Sequence, residues 1–147
     1  MRLLAGVLFA SMALGAGVSD VKAVYLLPMS GGLDQHLANR LAAAQVFRVV
    51  TDPKLADAIF TDRLGEAFEQ KLSELYAPPD EDKDDDNKPA KHISTFGRNA
   101  STVFLVDLKS RAVIWSGYEK RNGVSAAGQE RVASQIVRQI LRQQKAK

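Results

Sequence analysis

Residues Ser30-Gly31-Gly32-Leu33-Asp34 are the part of this sequence best placed to do chemistry. They follow the apolar run AVYLL and precede the helix-like run ANRLAAAQ. A strand, a glycine pair and a helix start can together hold an anion. Glycines let backbone N–H groups approach a phosphate, and a helix N-terminus favours negative charge. The same residues also have a purely structural use. Gly31 and Gly32 supply turn conformations closed to other residues, and Asp34 or Ser30 caps the helix that follows. The structural use is the expected one. Small-ligand or nucleotide binding by Ser30, Gly31, Gly32 and Asp34 is the alternative.

The loop resembles the phosphate-gripping loop of the ATP-pyrophosphatase superfamily, but that pattern continues with serine after the aspartate, and Gln35 stands here. Pro28 and Met29 also intrude between strand and loop. The acidic run Asp80 to Asp86 has carboxylates that Ca²⁺ prefers, without the glycine and closing glutamate of an EF-hand. It reads as a solvated linker. The two histidines, His36 and His92, have no partner at a metal-ligand spacing such as H-E-x-x-H. There is no cysteine and no G-x-S-x-G element. No motif places a nucleophile beside its base, so a noncatalytic chain with no metal and no cofactor is expected.

The elements around these residues follow from periodicity and punctuation. Val24 to Leu27 reads as a short buried strand ended by Pro28, which cannot donate to a ladder. Leu33, Leu37, Leu41 and Ala44 recur at helical spacing. FRVV, Phe47 to Val50, is a second strand. Asp52-Pro53 starts a short helix, with proline at its first position. AIFT, Ala58 to Thr61, is a third strand, and Glu66 to Tyr76 is helical with Phe68, Leu72, Leu75 and Tyr76 on one face. Pro78-Pro79 stops that helix. TVFLVD and AVIWSGY, joined by LKSR, predict an antiparallel hairpin. Ala126 to about Gln144 is an amphipathic helix. Each helix has one apolar stripe to bury, so the expectation is an α/β (α+β) fold. It has a mixed sheet of about five strands, two main helices packed on it, and a helix-plus-acidic-loop insertion.

Met1-Arg2, the apolar Leu3 to Leu14 and the small residues after them have the order of a secretory signal peptide. The apolar run is short of the roughly 20 residues that span a bilayer. Cleavage after Ala23 is expected, with cleavage near Ala16 as the alternative. This divides the chain into a leader, 1–23, and one domain, 24–147, with a flexible acidic loop at about 77–91. Of 20 basic and 17 acidic residues, the leader holds Arg2, Lys22 and Asp20. The remaining balance is close to neutral and gives no general attraction to nucleic acid. A hydrophobic content of 46% is that of a globular chain rather than a disordered one.

The segments VYLLPM, FRVVTD, ADAIFT and FLVDLKSRAVIWSG, in this order and followed by an isoleucine-bearing helix, resemble the TolB amino-terminal-domain and CsgG-like envelope protein family. The resemblance spans about 24–61 and 102–142. It implies an exported, periplasmic or secreted α/β module of a bacterial envelope that works by binding a protein partner. The chain lacks the cysteine that carries a lipid in the lipoprotein members. Trp115 and Tyr118 on the second hairpin strand are candidate partner contacts, although core packing is the ordinary role of an aromatic in a β run. Arg131, Arg138 and Arg142 line the outer side of the last helix as candidates for an acidic partner or, at most peripherally, anionic lipid.

Overall fold

The computed structural model describes residues 16–78, 100–120 and 125–146. The leader's first fifteen residues, the acidic run, His92 and all but the first two residues of the proposed acidic loop lie outside the described residues. Five strands form one mixed sheet: β1 (Ala23–Leu26), β2 (Arg48–Val49), β3 (Ala58–Thr61), β4 (Ala100–Asp107) and β5 (Val113–Lys120). Their spatial order is β2-β1-β3-β4-β5. β1 runs parallel to β2 and β3, while β4 is antiparallel to both β3 and β5. The helices are α1 (Leu33–Ala44), α2 (Glu66–Tyr76) and α3 (Ala126–Lys145).

Strand alternation sorts the side chains onto two faces. Val24, Ala58, Phe60, Val103, Leu105 and Trp115 meet Leu33, Leu37 and Leu41 of α1 and Val132, Ala133, Ile136, Val137 and Ile140 of α3. Ile59 and Val106, with Leu27, point the other way and meet Phe68 and Leu72 of α2. The expected α/β sheet with two main helices and an inserted helix is therefore present. The two main helices share one face, and among the described residues α2 is the helix that covers the other. It reaches only part of that face, so β5 keeps Val113 and Tyr118 in solvent, at 44% and 65% exposure.

The start of the described chain is part of the core. A 3-10 turn at Val18–Asp20 sets Val18 and Val21 against the α1–α3 layer. Asp57 ties this segment to β3: one carboxylate oxygen accepts the N–H groups of Lys22 at 3.0 Å and Ala23 at 2.9 Å. Those backbone donors hold the Asp57 carboxyl below its ordinary range. The unfolded chain thus takes up this proton first. The stabilisation is present above the ordinary aspartate pKa of about 3.9 and is lost as pH falls through the lower folded value. Asp57→Ala is expected to cost about 1 kcal/mol at neutral pH and to flatten the acid limb of a pH–stability curve measured by denaturant melts.

Candidate functional site

The loop between β1 and α1 has the conformation its glycines allow. Gly31 and Gly32 have φ of 71° and 74°, where a side chain costs about 1–2 kcal/mol. Leu33 is fully buried beneath them. The expected cap is built differently. Asp34 lies in the first turn of α1 and reaches backward, accepting the Met29 N–H at 3.0 Å; Gly32 itself occupies the cap position without a side-chain bond. Ser30 N–H donates to Asp62 at 2.9 Å, and Gly32 N–H donates to the Met29 carbonyl at 3.2 Å. Two carboxylates of the chain therefore sit where a bound anion would collect its donors.

Asp62 was not legible as a loop partner. Its only sequence signal is its place immediately after the AIFT strand. Thr61 fixes that loop: its hydroxyl donates to the Arg63 carbonyl and accepts the Arg63 N–H. Between the two loops and α2 lies an open cleft of about 600 Å³, lined by Leu27, Met29, Ser30, Asp62, Arg63 and Lys71 among others. It lies outside the carboxyl ends of β1 and β3, from which α1 and α2 depart to opposite faces of the sheet. Open α/β sheets bind ligands at such a switch point. Its charges are mixed, and Lys71 is paired with Glu74 at 3.0 Å.

A second surface lies at the far side of the sheet. β5 is an eight-residue edge strand, hydrogen-bonded to β4 along one side only among the described residues. Trp115 does not belong to this surface. It is 6% exposed, faces α3, and meets Phe60 edge-on at 6.3 Å between ring centroids. Tyr118 stands on the opposite face and is open to solvent. Arg131, Arg138 and Arg142 are exposed on the outer side of α3, so the structure does not bring them together with Tyr118. Lys109, Arg111 and Lys120 flank the ends of β5. Glu119, the acidic residue of the strand, is engaged by the Gln139 amide.

His36 has a structural partner. Its Nδ1 and Glu130 are 3.1 Å apart, and Arg40 bonds the other oxygen of the same carboxylate, joining α1 to α3. The His36 hydrogen bond, then Arg40, hold the Glu130 carboxyl below its ordinary range. Among the described residues no group of three or more His, Cys, Asp or Glu is placed to hold a metal ion, and no helix is long and apolar enough to cross a membrane. The chain matches no known family profile, no curated protein and no solved structure.

Proposed function

We propose that this chain is an exported, noncatalytic module of a bacterial envelope that binds a protein partner by adding an extended segment of that partner to β5. The observation that carries the reading is the β5 edge: eight residues paired on one side only among the described residues, with Tyr118 and Val113 exposed. An open edge is a ready template for another strand. Main-chain bonds give affinity, and alternate side chains give specificity. The other edge, β2, has two residues and offers little ladder. Basic Lys109, Arg111 and Lys120 favour an acidic partner segment. The likeness of the strand and hairpin wording to TolB-type envelope domains supports the same setting.

Affinity purification from the envelope fraction tests this, comparing the wild-type chain with V113D/Y118D, whose carboxylates repel an acidic segment. Both positions are solvent-exposed, so the variant should fold. The expected result is one reproducible partner with the wild type and its loss with the variant, with a salt dependence set by the flanking lysines and arginine. Equal recovery by both proteins counts against the β5 edge.

A small-ligand reading is favoured by the switch-point cleft alone. The carboxylates of Asp34 and Asp62 oppose a phosphate there, because two negative charges already take the Met29 and Ser30 N–H groups. ATP titrated calorimetrically against the wild type is therefore expected to give no saturable heat. Saturable binding that is abolished by G31V/G32V in a folded protein would transfer the proposal to the cleft.

A further inference from the structure

We infer that the chain is processed at the Gly15–Ala16 bond and that the mature protein begins at Ala16. After the apolar run that ends at Leu14, four places satisfy the small-residue pattern of a leader peptidase: Ala13 with Gly15, Gly15 with Gly17, Gly17 with Ser19, and Val21 with Ala23. The fold separates them. Residues 17–23 are built into the domain. Val18 and Val21 are 4% and 6% exposed within the main core, and the Gly17 N–H closes the 3-10 turn on Asp20 at 2.7 Å. The Lys22 carbonyl accepts the Arg48 N–H at 2.9 Å, which holds β2 in place. The Lys22 and Ala23 amides are both held by Asp57, and the Ala23 carbonyl accepts the Asp57 N–H at 2.9 Å.

A cut after Ala23 would remove all of this. It would also start the mature chain inside β1, at a residue that pairs with both β2 and β3. A cut between Gly15 and Ala16 severs none of these bonds. Ala16 is partly exposed, so its new ammonium reaches water. The step is a hydrolysis performed in trans by a peptidase with a preference for small residues. Water adds across the Gly15–Ala16 amide, the C–N bond breaks, the released leader ends in the Gly15 carboxylate, and the Ala16 nitrogen leaves as an ammonium.

This inference rests on the export reading, and one experiment separates the two. The full chain, with its own leader and a carboxyl-terminal tag, is produced in a bacterium. Its amino terminus is then read by intact mass and terminal sequencing. A start at Ala16 is expected. A start at Val18, Asp20 or Val24 overturns the proposed boundary and leaves export standing; a start at Met1 in all of the protein overturns export as well. A second variant, G15L, places a large residue immediately before the bond and is expected to retain the leader. Processing of G15L at the wild-type rate and position also overturns the assignment.

Discussion

Phe60→Ala lowers the unfolding free energy by about 3–5 kcal/mol. Phe60 is fully buried at the centre of β3. Its backbone lies between β1 and β4, opposite Leu26 and Leu105. Its ring packs between Phe47, at 6.1 Å between centroids, and Trp115, at 6.3 Å. Truncation removes the transfer energy of a whole ring and leaves a void bounded by two other aromatics. Neither can collapse into it, because Phe47 and Trp115 are held by opposite ends of the sheet. A domain of this size is stable by about 5–15 kcal/mol, so the loss is at least about a fifth of the total. Guanidinium melts followed by circular dichroism measure it. Leu64→Ala is the control: Leu64 is 41% exposed, and its change should stay within about 0.5 kcal/mol. A loss below about 1 kcal/mol for Phe60→Ala would show that β3 is not the centre of this core.

Gly117→Val is the second large effect, and its cause is space rather than backbone conformation. Gly117 and Trp115 are two apart on β5 and share the face toward α3. A Cβ built at Gly117 would come closer than 3.0 Å to the Trp115 ring and would also crowd the Gln139 amide. The indole lies across the strand in the room the glycine leaves. A valine there forces the ring off its rotamer, with a cost of about 1–3 kcal/mol. Trp115 is the sole tryptophan of the chain, so its fluorescence reports the movement directly. The expected result is a red-shifted emission maximum together with a lower denaturation midpoint. An unshifted maximum in a fully stable Gly117→Val protein would contradict the packing. Gly32 offers the opposite case: nothing lies near its Cβ position, and a substitution there meets only the cost of its positive φ.

The elements were legible where the local pattern and the tertiary environment agree. AIFT is a strand at its predicted bounds, and EAFEQKLSELY is a helix at its predicted bounds. The apolar strand is buried on both faces, and the helix carries one clean stripe. Asp52 caps the short turn at Pro53–Leu55 as its position before a proline implies, accepting the Lys54 N–H at 2.9 Å. The hairpin was legible too, although its turn is held by an unpredicted device. Asp107 accepts both the N–H and the hydroxyl of Ser110, and Arg111 adopts a φ of 60°.

Long-range pairings were not legible. Nothing near Ser30 in the sequence announces Asp62, thirty-two positions away, and nothing near Ala23 announces Asp57. The same holds for Val18 and Val21, which resemble the apolar residues before them until the fold places them against α3. Trp115 and Tyr118 differ only in strand parity, and parity becomes meaningful once the buried face is known.

Site-specific photo-crosslinking in intact cells tests the β5 edge most directly. A photoreactive amino acid placed at Tyr118, and separately at Val113, is expected to capture the same single protein, through an extended acidic segment identified by peptide mass. The same probe at Asn39, exposed on α1, is expected to capture nothing specific. Capture of one partner from Asn39 with none from Tyr118 or Val113 would contradict strand addition at β5.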